Sequence, residues 1–149
     1  MSPAPPLPDN AVEIPSPALL LYWERVEENL RRMTAMVASP DRLRPHLKTH
    51  KLPQIVSRLA ELGVRKAKCA TIAEAEMAAG GGAEDVLLAA PLIGPTVGRF
   101  INLMKAFPEV KFAGLADDAA SLEVLSHAAV AAGLEIAVML DLDVGQGRT

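Results

Sequence analysis

The feature that most constrains the fold is a regular alternation of short apolar runs and longer amphipathic stretches that begins at residue 43. Each apolar run has the length of a strand, and the stretches between the runs have helical spacing of their apolar residues. A nearly all-apolar strand is typical of a parallel sheet that is buried on both faces. Strands joined by helices in this way predict right-handed βα units. The predicted strands are residues 43–48, 66–70, 85–90, 110–114 and 135–142.

The predicted helices between these strands carry start and stop signals. Pro53 stands where a helix can begin without losing a hydrogen bond, and Thr71 with Glu74 has the spacing of a capping box. The glycines at residues 80–82 follow a helix rather than a strand, so we expect a C-cap and turn instead of a phosphate-binding loop. The predicted helices are residues 53–63, 71–80, 96–107 and 117–132, the last beginning at Asp117 or Asp118.

Two parallel architectures compete for this pattern. An open doubly wound sheet has five or six strands, whereas a barrel needs eight strands and typically about 250 residues. The alternation supplies five strands, and Thr149 follows the fifth without a covering helix. We therefore predict the fold class as α/β, the N-terminal part of a (β/α)₈ TIM-type barrel of about five βα units, truncated before closure.

The N-terminal region differs from the alternation. Residues 1–13 are rich in proline and are predicted to form a disordered leader, and residues 14–149 are predicted to form the partial barrel domain. Within that domain, residues 18–22 suggest a short strand. Residues 24–37 suggest an amphipathic helix, because Val26, Leu30, Met33 and Val37 share one helical face.

Composition narrows the functional class. Half of the chain is apolar and only 3% is aromatic, which predicts a core of Ala, Leu, Val and Ile. The net charge of −3 argues against general nucleic-acid binding. Cys69 is the single cysteine, and the sequence contains neither a signal peptide nor a membrane-spanning apolar run. These observations predict a cytoplasmic protein with no nucleic-acid or membrane partner.

Residues 44–51, which we call the basic segment, read RPHLKTHK and have no acidic neighbour between Arg42 and Glu61. A lysine that is buried among cations loses its proton more readily, and a neutral amine is a nucleophile for carbonyl groups. The segment lies at the carboxyl end of the first predicted strand, where barrel enzymes carry reactive residues. Strand alternation would point His46 and Lys48 the same way, which favours Lys48 over Lys51. A phosphate-binding or merely solvated loop is the alternative.

Other polar residues are weaker candidates. His46 and His50 are four apart, but Pro45 and Pro53 exclude the helix that a metal pair would need, so hydrogen bonds around a modified lysine are the better interpretation. His127 lies in an Ala-rich helix and is interpreted as structural.

A second motif follows the fifth predicted strand. Residues 141–148 read DLDVGQGR, which puts Asp141 and Asp143 on one face and Arg148 at the mouth of the strand. Glycines there let the backbone approach a ligand. A salt bridge between Arg148 and one of the acids is the structural alternative, and a dinucleotide fingerprint lacks its third glycine.

Together the two motifs resemble the pyridoxal-phosphate-dependent enzymes with the alanine-racemase barrel (fold type III), in the branch of D-threonine aldolase and D-serine dehydratase. The sequence from residue 70 to residue 76, ATIAEAE, extends the resemblance. It implies that Lys48 forms a Schiff base with pyridoxal 5'-phosphate, and that His46, Arg148, Asp141 and Asp143 lie around the cofactor. Racemases carry a lysine at the position of Asp141, so the acid here favours the aldolases.

The resemblance implies a lyase that cleaves D-β-hydroxy-α-amino acids, such as D-threonine to glycine and acetaldehyde. A D-serine-dehydratase-like ammonia-lyase and a non-catalytic pyridoxal-phosphate-binding protein are the alternatives. The phosphate site and the ligands of a divalent metal are expected in later segments, with no metal ligand within this chain. The full-length form is expected to act on a small D-amino acid and to be able to form a homodimer, and the 149 residues alone are expected to be inactive.

Overall fold

The computed structural model describes residues 6–147, and these form two compact units, one up to Val37 and one from Ala38 onwards. The first unit contains a 3₁₀ turn, Ala11–Glu13, and helix α1, Trp23–Ala35, which confirms the predicted amphipathic helix. The strand predicted at residues 18–22 is wrong, because this extended stretch pairs with no other described strand and Leu19 is 73% exposed. Residues 1–5 of the predicted leader lie outside the described residues.

The second unit is a sheet of four parallel strands with helices between them. The strands are β1 (Lys66–Cys69), β2 (Asp85–Pro91), β3 (Lys111–Ala116) and β4 (Ala137–Leu140), and they lie in that order across the sheet. The helices are α2 (Pro53–Glu61), α3 (Ile72–Gly80), α4 (Pro95–Ala106) and α5 (Ala119–Ala132). The α/β class and the βα alternation are thereby confirmed, and within the described residues the sheet is open rather than closed.

The prediction of a first strand at residues 43–48 is wrong. Only His46 pairs with the sheet, through an isolated parallel bridge to Lys68, and Lys68 N donates to Pro45 O at 2.9 Å. Pro45 has no N–H to extend a ladder, and the chain then turns into a 3₁₀ turn at Leu47–Thr49. The described part of the chain therefore forms four strands, with His46 bridged to the edge strand β1, and not five full strands.

The two faces of the sheet have different roles. On the face covered by helices, Cys69, Val86 and Phe112 are almost fully buried, and Phe112 meets Phe100 of α4 edge-on with ring centroids 6.1 Å apart. The opposite face corresponds to the inside of a barrel, and Lys68 and Leu87 project there in register. This second face is the one that leads to the candidate site.

Helix ends follow the sequence signals. Pro53 begins α2, Thr71 caps α3 by accepting a hydrogen bond from Glu74 N at 3.2 Å, and Asp118 caps α5. The glycines at residues 80–82 end α3 and turn the chain, with Gly82 at a φ of +98° that favours glycine. Among residues 6–147, no helix is both long and apolar enough to cross a bilayer.

Candidate active site

A cleft of about 390 Å³ opens at the carboxyl ends of the four strands. This volume lies within the range of small-ligand pockets, and the position is the one that carries ligands in parallel α/β folds. Residues from every strand, or from the loop after it, contribute to the wall. The cleft is lined by Lys68, Leu87, Ala89, Pro91, Leu115, Asp117, Asp141, Leu142, Asp143, Val144 and Gln146.

Three carboxylates give the cleft an acidic wall. Asp117 follows β3, and Asp141 and Asp143 follow β4, so the two acids of the DLDVGQGR motif both line the cleft, although they lie in the loop beyond the strand and not on its face. Asp143 Oδ1 accepts hydrogen bonds from Gly147 N at 3.0 Å and Gly145 N at 2.9 Å, and these donors lower the pKa of the carboxyl. Asp143 is therefore an anion at neutral pH that shapes the loop after β4. Arg148 lies outside the described residues.

Lys68 is a cleft residue that the sequence analysis missed. It lies half-buried on β1, on the face away from the helices, where it lines the cleft with the acids. Alternation in the sequence KAKC could have identified it, since alternate side chains of a strand share a face. A lysine facing the inside of a barrel is a signal of a polar site rather than of a packed core.

Lys48 lies in the 3₁₀ turn that follows the bridge between His46 and Lys68. Leu47, only 1% exposed, anchors this turn, while Lys48 itself is exposed. Strand alternation does not orient Lys48, because the chain has already left the strand, and the burial that the sequence argument assumed is not present here. Lys48 is not among the residues that line the cleft, but the bridge to Lys68 brings the turn to the same end of β1.

The two histidines of the basic segment bind their own backbone. Lys48 N donates to His46 Nδ1 at 3.3 Å, and Leu52 N donates to His50 Nδ1 at 3.1 Å. Burial, helped by the charges of Lys48 and Lys68, lowers the pKa of His46, and burial also lowers the pKa of His50. Both rings are therefore neutral acceptors at neutral pH. Within residues 6–147 no group of three or more His, Cys, Asp or Glu side chains is arranged to hold a metal ion.

Lys51 and Lys48 differ in their partners. Lys51 Nζ lies 3.3 Å from Oε1 of Glu74, a carboxylate that is 4% exposed at the start of α3. Lys51 also has a φ of +52°, which is strained for a residue with a side chain. In the sequence Glu74 is recognisable only as part of a capping box, and its spacing gives no signal of this pairing. The ion pair therefore distinguishes two lysines that charge alone left equivalent.

Arg44 belongs to the other end of the sheet. Its guanidinium forms a bidentate pair with Asp85 at the start of β2, with distances of 2.8 and 2.7 Å, and it also donates to the carbonyl oxygens of Asp85 and Ala67. Asp85 begins its strand, so this pair lies away from the carboxyl ends that form the cleft. Arg44 is a structural residue, while Lys48 remains the candidate for chemistry.

Cys69 is a potential nucleophile that burial makes unreactive. The side chain is fully buried, and burial, together with the nearby Glu74 carboxylate, raises the pKa of the thiol to about 12. Because the thiolate is the reactive form, we expect iodoacetamide to leave Cys69 unmodified in the folded protein at neutral pH and to alkylate it after unfolding in urea. Peptide mass spectrometry measures both states. Rapid alkylation of Cys69 without urea would contradict this expectation.

His127, the third histidine, is exposed on α5.

Comparison with known proteins gives a consistent result. The alanine racemase N-terminal domain family matches residues 23–149. D-threonine aldolase from Arthrobacter sp is 35% identical over 141 residues, which are 94% of this chain and 37% of that protein. The 3-hydroxy-D-aspartate aldolase from Paracoccus denitrificans (strain Pd 1222) is 33% identical over 139 residues, 91% of this chain and 35% of that protein.

A solved structure shows the same fold. The crystal structure of D-threonine aldolase from Filomicrobium marinum superposes with a TM-score of 0.81 at 31% identity, covering 92% of this chain and 37% of that one. The open four-stranded sheet is therefore part of a TIM-type barrel, and the chain spans a little over a third of the length of the curated relatives it matches. The chain belongs to the alanine racemase N-terminal domain family, in which it is similar to the N-terminal portion of the D-threonine aldolases.

Proposed function

We propose that this chain is part of a pyridoxal-phosphate-dependent lyase that cleaves D-β-hydroxy-α-amino acids in the manner of a D-threonine aldolase. The observation that carries the proposal is Lys48, an exposed primary amine in a turn at the carboxyl end of the sheet. The neighbouring amine of Lys51 is paired with Glu74. Relatives named D-threonine aldolase and 3-hydroxy-D-aspartate aldolase support the reaction class.

The described residues suit the aldehyde end of pyridoxal phosphate better than its phosphate. Lys48 supplies an amine for the aldehyde, and a cleft of about 390 Å³ is large enough for a small ligand. The wall of that cleft carries three carboxylates and one ammonium, a set that disfavours a phosphate dianion. In this proposal the phosphate is bound elsewhere in the full-length protein.

The residues of this chain would have distinct tasks. When bound, the cofactor supplies an electron sink for the bond that breaks. Lys48 would hold the cofactor covalently and, once displaced by substrate, exchange a proton through its Nζ. Neutral His46, whose Nδ1 accepts from Lys48 N, would orient the turn. Asp141 and Asp143, with Arg148, would border the cofactor from the loop after β4. No described cluster suits the implied divalent metal, so no step is assigned to it.

The acidic wall also favours one substrate over another. D-threonine has an uncharged side chain, whereas 3-hydroxy-D-aspartate carries a second carboxylate that would approach Asp117, Asp141 and Asp143. Like charges in a cleft repel each other strongly when water is excluded. We therefore propose D-threonine as the better substrate. A cytoplasmic location and a homodimer of the full-length form are further parts of the proposal.

The test uses the full-length gene product loaded with pyridoxal phosphate. Reduction with borohydride should fix the cofactor to Lys48, as read by peptide mass spectrometry, and D-threonine should yield glycine and acetaldehyde faster than 3-hydroxy-D-aspartate is cleaved. Ammonia and a keto acid from D-serine would instead indicate a dehydratase, and attachment without turnover a non-catalytic binder. Failure of the cofactor to attach would end the proposal.

A further inference from the structure

Glu74 is the charged side chain that the second unit buries. It lies in the first turn of α3 with 4% of its surface exposed, and no other polar or charged residue is buried among the described residues. Carboxylates are rarely buried without partners, because loss of hydration is costly. The position therefore requires a physical reason beyond helix formation.

The contacts of Glu74 point away from its own helix. In an ordinary capping box the carboxylate would accept a hydrogen bond from the N-cap residue, Thr71. Here Oε2 accepts from Ala70 N at 2.7 Å, one residue further back, and Oε1 faces Lys51 Nζ at 3.3 Å without any other hydrogen-bond partner. The carboxylate therefore does not make the usual capping-box hydrogen bond to the N-cap residue. Its other oxygen, Oε1, faces the basic segment instead.

Glu74 interacts electrostatically with three residues of that segment, His46, His50 and Lys51. Burial raises its pKa, but the Ala70 hydrogen bond and the Lys51 ammonium outweigh burial and lower it, so the group is an anion at neutral pH. Its charge in turn opposes the lowering of the pKa of both His46 and His50. One buried carboxylate therefore supplies a negative charge to a segment that contains no acid of its own.

The partner of Glu74 is the strained residue of the turn. Lys51 has a φ of +52°, and Lys51 N donates to Leu47 O at 3.0 Å, which closes the turn around Lys48. A left-handed conformation is unfavourable for a non-glycine residue and persists where surrounding contacts hold it. The ion pair between Lys51 and Glu74 of α3 is such a contact. Lys48 stays exposed between buried Leu47 and the paired Lys51.

We propose that Glu74 is the positioning residue of the basic segment: by pairing with Lys51 it holds the turn that presents Lys48 and keeps the second amine out of reaction. This inference rests on the proposed function for its cofactor arm. A residue with only a helix-capping role would affect stability without changing which lysine reacts. The choice between Lys48 and Lys51 is therefore the property to measure.

The first measurement needs neither cofactor nor substitution. Limiting acetic anhydride should acetylate Lys48 of the full-length gene product, after any bound pyridoxal phosphate has been removed so that both amines are free, faster than Lys51, by about threefold or more, the factor that a modest ion pair provides. Peptide mass spectrometry gives both rates in one sample. Equal rates, or faster acetylation of Lys51, would overturn the proposal even if the enzyme proves to be an aldolase.

The second measurement uses Glu74→Gln, which retains an oxygen to accept from Ala70 N but loses the charge that pairs with Lys51. After loading with pyridoxal phosphate and borohydride reduction, the ratio of attachment at Lys48 to attachment at Lys51 should fall by about threefold to tenfold. Glu76→Gln, the same change at an exposed position of α3, is the matched control and should keep the wild-type ratio.

The outcomes separate this proposal from the function on which it rests. Attachment confined to Lys48 in Glu74→Gln as in wild type would overturn the positioning role and leave the aldolase proposal intact. If wild-type protein takes up no cofactor at either lysine, the proposed function fails, and the acetylation rates alone then decide the positioning role. If Glu74→Gln does not fold, the acetylation rates of the unaltered protein decide.

Discussion

Lys48→Arg should lower the rate of D-threonine cleavage by the full-length gene product by about 10²- to 10⁴-fold, the range for loss of a positioned acid–base group. Arginine preserves the positive charge of the exposed turn but is never deprotonated in proteins, so it can neither attach the cofactor nor exchange a proton. Acetaldehyde release measures the rate, and borohydride reduction followed by peptide mapping measures attachment.

The control for this substitution is Lys105→Arg in the last turn of α4, where the same change on an exposed helix should leave both readouts at the wild-type level. Near-normal cleavage by Lys48→Arg, or covalent cofactor that persists at another residue with full activity, would contradict the role of Lys48. Circular dichroism of both variants confirms that any loss is chemical rather than structural.

Asp85→Ala should lower the free energy of unfolding by about 2 kcal/mol, less than the 3–5 kcal/mol typical of a fully buried pair. The side chains of Arg44 and Asp85 are 23% and 30% exposed, so water screens part of the interaction. Removal of Asp85 leaves the Arg44 guanidinium largely buried with only carbonyl acceptors. Urea denaturation of the full-length gene product measures the loss. Asp41→Ala, on an exposed 3₁₀ turn, should change the free energy little.

The contribution of Asp85 to the free energy of unfolding should also depend on pH. The hydrogen bond and charge of Arg44 lower the pKa of Asp85 from its ordinary value of 3.8. A carboxyl whose pKa is lowered in the folded state stabilises the protein above its unfolded pKa, and this stabilisation is lost as pH falls through the folded pKa. The difference between wild type and Asp85→Ala should therefore be full above about pH 5 and should shrink under acid conditions. A difference that grows as pH falls would refute the assigned pair.

The predicted sheet and helices agree with the structure because their signals are local. The strands at residues 66–70, 85–90 and 110–114 were predicted within two residues of β1, β2 and β3, since apolar runs bounded by caps and glycines depend on near neighbours. The predicted strand at residues 43–48 failed for a local reason too. Pro45 cannot donate to a ladder, and the His46 ring offers Lys48 N an acceptor that favours a turn.

The site itself was only partly predictable. Charge grouped Arg44 with Lys48, yet Arg44 pairs with Asp85 at the start of β2, whereas Lys48 lies in the turn that follows the bridge to Lys68 near the end of β1. No sequence signal connects Arg44 with Asp85, because the pair depends on which strand becomes the neighbour of the basic segment. Similarly, the capping-box spacing identifies Glu74 as a helix residue, while its pairing with Lys51 exists only after α3 has packed beside the turn.

The order of strands across the sheet has a consequence for the way the protein is made. Paired residues are 19, 26 and 24 positions apart in the three ladders (Lys66 with Asp85, Asp85 with Lys111, Ala113 with Ala137), so each strand needs only the one synthesised before it. Translation at about 5–20 residues per second gives each unit a second or more, far longer than the microseconds in which a helix forms. The sheet can therefore grow during synthesis, strand by strand from β1, with the 72% exposed side chain of Leu140 on β4 marking the edge at which the next unit would add.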